Sequence, residues 1–526
     1  MILVSRTDFP QMDGRTRISH GGILMLLAAL ALLLFLTASI VLDAGSISIA
    51  SAGVITTFIL NGTLAIVLLS KSIAERPFSL VQLHWLFYIT MFVVAPLSQY
   101  LYGYSAWGHP LGDSDYLGTN VLLMIWGVFF AFASNSAGFH RPSRSGSNNV
   151  KSQSAFYESL PSISARAALI AFGVSLCSAI IVIVLVGFSN LFSRGDFVTG
   201  LDKTLGLLFD KGVRPLPVFA FVLIFARAKQ QHKFTLLPIA AFLIAFIADF
   251  PAAMARYNMA CLYGGIILLV LGPLFEKRGL FPALFLIAFL VLFPAGNAYR
   301  WESFEISMLF DAIRNAALNL PQGFCAVDYD AYSMVARTSQ YIATFGVENG
   351  YQLLGALLFF VPRAIWPTKP EGSGNLVCAA QGQLQLNISS PLPAEGLVNF
   401  GVFGLIAFAI LLGILCRKGD AWFVRSCSPL RLLYPFLCFL LFFVMRGDLL
   451  SGLAFSVGYC VSFMFLLTLC LGIDAFGGKQ SKSSSGEYSP CLGASICSSH
   501  EQRRSYIMQC GEAPISTTCS NVPTIR

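Results

Sequence analysis

The sequence predicts an all-α polytopic membrane protein. We expect about 12 transmembrane helices, both termini cytoplasmic, and one large extracytoplasmic loop carrying interfacial helices. Three observations lead there. Only 11% of the 526 residues are Asp, Glu, Lys or Arg, against about 25% in soluble globular proteins. Hydrophobic residues make up 56%, Phe alone numbers 46, and the mean hydropathy is +0.72. So few charges cannot cover a water-soluble surface, and so apolar a chain is not intrinsically disordered. Apolar runs near the ~20 residues that cross a bilayer recur along the chain. Lys and Arg fall unevenly between the connections, as they do in oriented membrane proteins.

The apolar windows run over 21–42, 48–70, 80–101, 119–138, 167–190, 213–226, 234–250, 257–275, 279–297, 398–416, 432–446 and 450–473. The first is too long for a signal-peptide core and has no small-residue cleavage site, so it reads as a retained span. The sixth holds Pro215 and Pro217 and reads as broken or tilted. The expected organisation is nine helices over 1–297, the large loop over 298–397, three more helices over 398–474, and a tail over 475–526. The tail (GGKQSKSSSGEYSP onward) reads as disordered and cytoplasmic, and the inner loop 139–166 (RPSRSGSNN) as a flexible linker. Within the large loop, 306–319 and 331–344 space apolar residues as helices lying against the bundle, in a position to act as a lid.

With the N-terminus inside, 23 of the 34 Lys and Arg residues are cytoplasmic, and the outer connections 43–47 and 102–118 hold none. The basic excess therefore orients the chain. It forms no aromatic-interleaved patch, so nucleic acid is not an expected partner. Thirteen Cys form no CxxC pair, which leaves no zinc or redox motif. Cys325 and Cys378 alone lie in the large outer loop, either as a disulfide or as two free thiols.

The informative charges are the basic residues left on the outer side. Arg194 lies in LFSRGDFVTG, Arg256 in ADFPAAMARYNMA, Arg300 in NAYRWE, Arg337 in the second loop helix, and Arg446 in an RGD at the end of a span. Guanidinium groups that converge on one cavity match phosphate oxygens bidentately and keep their charge. The plainer alternative is local pairing of Arg194 with Asp196, Arg300 with Glu302 and Arg446 with Asp448. The most distinctive stretch is GALLFFVPRAIWPTKPEGSGN, residues 355–375. There Pro362, Pro367 and Pro370 stiffen the backbone around Arg363, Trp366 and Lys369. It reads as a rigid cationic site at the interface, or as a Pro-rich turn whose cations touch lipid phosphates.

VPRAIWPTKPEGSG, SRGDF after the fifth span, FPAAMARYNMA, and a large outer loop late in the chain together resemble the O-antigen polymerases, the Wzy-type oligosaccharide repeat-unit polymerases. The resemblance covers residues 1 to about 475 and has no counterpart for the tail. It implies a metal-independent glycosyltransferase without cofactor in the bacterial inner membrane. Such an enzyme polymerises undecaprenyl-diphosphate-linked oligosaccharide units into O-antigen or a related surface polysaccharide at the periplasmic face. Its implied partners are that lipid-linked substrate, the bilayer, and a chain-length regulator and flippase of the same pathway. Loss of a lipid pyrophosphate builds negative charge that Arg and Lys can stabilise without a metal. On this reading Arg194, Arg256 and Arg363 contact the diphosphate, followed by Lys369, Arg300, Arg337 and Arg446. Asp196, Asp249 and Asp448 are candidate general bases, each also readable as the partner of a nearby Arg. Trp301, Tyr351 and Trp366 are candidate sugar-stacking residues or interfacial aromatics. A lipid-linked glycan ligase and a transporter of lipid-linked sugars are the competing functions.

Overall fold

The computed structural model describes residues 49–135 without 109, 157 and 159–192, 203–293 without 234 and 276–278, and 306–472 without 384–387. The window 21–42 and the tail lie outside them. The described residues form helices and no strand. The chain is a membrane-type helical protein: among the described residues seven helices are long and apolar enough to cross a bilayer.

In chain order the helices are α1 Ile49–Glu75, α2 Leu80–Leu101, α3 Asp113–Asn135 and α4 Ala165–Val186. Next come α5 Lys203–Leu208, α6 Leu216–Gln230, α7 Leu236–Ala248, α8 Arg256–Val270 and α9 Leu280–Ile287. The region of the predicted outer loop contributes α10 Ile306–Leu318, α11 Ala331–Phe345, α12 Tyr351–Leu357 and α13 Ser373–Ala380. Last are α14 Leu392–Arg425, α15 Tyr434–Arg446 and α16 Leu449–Leu471. Each apolar window after the first falls on one of these helices. Of the twelve expected spans the first lies outside the described residues, seven reach membrane length, and α6, α7, α8 and α9 are shorter: the 13 residues of α7 rise about 20 Å, less than the ~30 Å hydrocarbon.

Helix α2 is the central element, with 94% of its apolar window buried. Ser79 starts it, its hydroxyl accepting from the Gln82 amide at 3.1 Å. Pro96, which has no N–H to give, follows a π-helical turn at Thr90–Val94, closed by the Ala95 N–H on the Thr90 carbonyl. Tyr88 of α2 donates to Asn61 at 2.6 Å and to the Leu123 carbonyl at 2.9 Å, joining α1, α2 and α3. Polar links of this kind supply specificity where apolar contact alone does not distinguish helix from lipid. Glycines do the rest. A Cβ on Gly413 of α14 would lie 2.9 Å from the Phe130 carbonyl of α3, and one on Gly265 of α8 would meet the Phe436 ring of α15 at 2.4 Å.

Two features set the geometry of the site. Helix α14 is interrupted at Phe400 and Gly401, where Gly401 takes φ 63°, so its first two turns point away from the long apolar part. Helix α11 is packed into the bundle, which corrects the lid expectation. Its Tyr332 donates to the Tyr116 carbonyl and to Asn120 of α3, both at 3.0 Å, and Met334, Val335 and Arg337 are fully buried.

Candidate functional site

Arginines from three separate helices meet around one short strap, 324–330, at the end of the bundle where α2 finishes. The strap is tied down by Gln99 of α2, whose amide donates to the carbonyls of Phe324 (2.9 Å) and Tyr329 (3.2 Å). It carries two carboxylates. Asp328 accepts from Arg256 Nη2 at 2.5 Å; the same guanidinium donates to the Phe293 carbonyl at 3.3 Å and lies 4.4 Å over the Phe293 ring. Asp330, 1% exposed, accepts from Arg446 Nη2 at 2.9 Å and Ser389 at 2.7 Å on one oxygen, and from the Trp107 indole at 3.1 Å on the other. Trp107 holds φ 65°, a left-handed conformation that costs a bulky residue energy, and the indole bond to Asp330 helps to fix it.

Two turns beyond Asp330, Arg337 is wholly buried. Its Nη2 donates to the Ala106 carbonyl at 2.6 Å, whereas Nε and Nη1 have no partner among the described residues. The side chains of Arg256 and Arg446 are 14% and 28% exposed, so part of each guanidinium faces outward.

A second charged group adjoins the first through Tyr257, the neighbour of Arg256. Lys211, on a π-helical turn at Phe209–Val213, pairs with Asp210 at 2.6 Å and donates to Tyr257 (2.7 Å) and Asn258 (3.0 Å). Arg214 reaches Asp210 at 3.5 Å and the fully buried Asp249 at 3.3 Å. Asp249 is therefore the partner of Arg214 and lies in this second group.

The proline-rich loop is stapled to itself. Arg363 donates to the carbonyls of Lys369 (2.7 Å) and Pro370 (3.5 Å), and Lys369 returns to those of Phe359 (2.7 Å) and Val361 (3.1 Å). Burial, then the charge of Arg363, push the Lys369 ammonium below its ordinary value. The Trp366 ring stands edge-on to Tyr351, whose hydroxyl donates to the Thr368 carbonyl. Gly355 seats the Pro370 ring and Gly374 the Ile388 carbonyl, with hypothetical Cβ distances of 2.3 and 2.4 Å. The loop ends against Asp448, which a Cβ on Gly372 would meet at 3.1 Å. Asp448 caps α16, accepting from the Ser451 amide at 3.0 Å and hydroxyl at 2.8 Å. Beside it the buried Glu395 accepts from Ser373 at 2.7 Å and the Leu449 amide at 3.0 Å.

The structure thus brings Arg256, Arg337 and Arg446 together, and gathers Arg363, Lys369, Tyr351 and Trp366 in a loop that abuts Asp448. Arg446 pairs with Asp330, which corrects the local Arg446–Asp448 pairing, since Asp448 is occupied as a helix cap. Arg194, Asp196, Arg300 and Trp301 lie outside the described residues. Cys325 and Cys378 are free thiols, which corrects the disulfide alternative. Cys378 of α13 is buried in a cluster with Val377 and Ile388, and Cys325 is partly exposed within the strap. Sequence reasoning missed Asp328, Asp330, Trp107 and Ser389. The one local signal was VDYD, two acids framing a tyrosine just before an amphipathic helix. Among the described residues no His, Cys, Asp and Glu group could hold a metal ion. Compared with protein-family models, curated proteins and solved structures, the chain matches none.

Proposed function

We propose that the chain is a membrane glycosyltransferase that polymerises oligosaccharide units carried on a lipid diphosphate, at the outer face of a bacterial inner membrane. The observation that supports this best is the pair Arg256–Asp328 and Arg446–Asp330: two partly exposed guanidiniums, from α8 and α15, held on adjacent carboxylates of one strap. Arg337 stands behind them with unused donors. A diphosphate is a stronger competitor for a guanidinium fork than one carboxylate.

In the proposed reaction the arginines take the diphosphate oxygens and stabilise the charge that grows as it leaves. The anomeric carbon–oxygen bond to the diphosphate breaks, and the diphosphate departs with the electron pair. The acceptor hydroxyl oxygen forms the new glycosidic bond, and its proton passes to a carboxylate. Asp328 is the better placed acceptor of that proton, being 10% exposed in its side chain against 1% for Asp330. Trp366 and Tyr351 border the loop against which the sugar would pass.

The test is the purified protein incubated with a lipid-diphosphate-linked oligosaccharide, with and without chelator. A ladder of longer glycans in both conditions supports the proposal, as does its loss in Arg256→Ala with the fold retained. No chain growth would sink the polymerase reading, and growth only with a divalent ion would overturn the metal-free step.

A further inference from the structure

At the opposite end of α2, about 30 Å from the strap by the rise of a helix of this length, the bundle holds a polar cavity of about 70 Å³. It lies where the end of α1 (Glu75, Arg76), the start of α2 (Ser79, Trp85) and the last turns of α14 (Arg417, Asp420) meet. Asp420 is 4% exposed and already committed, accepting from the Leu80 amide at 2.9 Å and the Tyr434 hydroxyl at 2.5 Å. It fixes the start of α2 and has little capacity left for a ligand. The Arg76 side chain makes no hydrogen bond among the described residues, its charge acts on Asp420, and Glu75 beside it is exposed. Arg417 lines the cavity with a guanidinium whose five donors can serve more than one acceptor.

Position narrows the ligand. Two membrane-length helices, Ser51–Glu75 and Leu80–Leu101, end and begin at this cavity, which places it at headgroup depth. Basic pockets between helices at that depth suit phosphate-bearing headgroups. Here a free carboxylate accompanies the two guanidiniums, so a purely anionic headgroup would meet repulsion. The geometry points to a binding site for a phosphate ester that carries a primary amine, as an aminophospholipid headgroup does. Arg76 and Arg417 take the phosphate oxygens and Glu75 takes the ammonium. This site is separate from the arginine cluster and does not depend on the proposed polymerase activity.

Native mass spectrometry of the full chain in detergent tests it, with phosphatidylethanolamine, phosphatidylglycerol and soluble O-phosphoethanolamine as probes. The wild-type protein should bind phosphatidylethanolamine about tenfold more tightly than phosphatidylglycerol, and the double variant Arg76→Gln/Arg417→Gln should lose at least about tenfold of that affinity. Should the double variant fail to fold, Glu75→Gln at its exposed position carries the test, because it should equalise the two lipids. Displacement of the lipid by O-phosphoethanolamine at equal concentration would assign the site to a soluble ligand of the same chemistry, and no displacement would assign it to the lipid. Equal binding of both lipids by the wild-type protein, or undiminished binding by the folded double variant, would overturn the proposal.

Discussion

Replacing Arg446 by Ala should destabilise the protein by about 2–3 kcal/mol, through Asp330. That carboxylate is 1% exposed and receives three side-chain donors, of which Arg446 at 2.9 Å alone carries a charge. Removing one member of a fully buried ion pair costs about 3–5 kcal/mol, because the other charge is left uncompensated. Two features of this site lower the figure. The Arg446 side chain is 28% exposed, so water screens part of the interaction, and Ser389 and Trp107 continue to solvate Asp330 after the change. Asp330→Asn keeps the size and the acceptor while removing the charge, and should cost less. In the double variant neither charge of this pair is left facing a vacated partner, so the two losses should fall short of additive by at least about 1 kcal/mol. Reversible unfolding in mixed detergent micelles, run on the wild type, both single variants and the double variant, reads the cycle. Strict additivity, within about 0.5 kcal/mol, would show that Arg446 and Asp330 do not form the pair and would remove the strap from the site.

Three other expectations follow from the same contacts. Gly374→Ala places a Cβ 2.4 Å from the Ile388 carbonyl, a backbone atom that cannot swing aside, so thermal melting should show a loss of about 1–3 kcal/mol; an unchanged midpoint would mean the proline-rich loop is not docked there. Glu395→Ala strands the Leu449 amide and the Ser373 hydroxyl and should cost more than Glu395→Gln, which can still accept from one of them; equal losses in the two variants would contradict the contact. Cys325 should react with a maleimide without prior reduction, whereas Cys378, buried and with its thiol pushed up to about 11 mainly by that burial, should react only after unfolding. Protection of both until a reductant is added would restore the disulfide.

The helices were legible because runs such as 49–75 and 449–471 are apolar over a membrane's thickness, and nothing but a helix satisfies the backbone there. Even the irregular turn in α2 has a local cause, in Pro96. The site was legible only in part. Arg256 and Arg446 stand out as cations on the side that lacks them, but their partners come from far along the chain: Asp330 lies 116 residues from Arg446 and Asp328 lies 72 from Arg256. No local spacing carries such a pairing. The RGD at 446–448 misled in the opposite sense, since Asp448 accepts from the Ser451 amide three residues later as the cap of α16. In the loop 359–370 the prolines that made Arg363 and Lys369 conspicuous also fold the chain back, so backbone carbonyls become the nearest acceptors for both cations.

The central claim is that this protein lengthens a glycan on its lipid diphosphate carrier. The most direct measurement is to delete the gene and resolve the surface glycan on a gel, with complementation by the wild type and by Arg256→Ala at equal protein level. The account predicts single repeat units in the deletion strain, full-length chains with the wild type, and single units again with the variant. An unchanged ladder in the deletion strain, or full-length polymer retained on the lipid carrier, would contradict it.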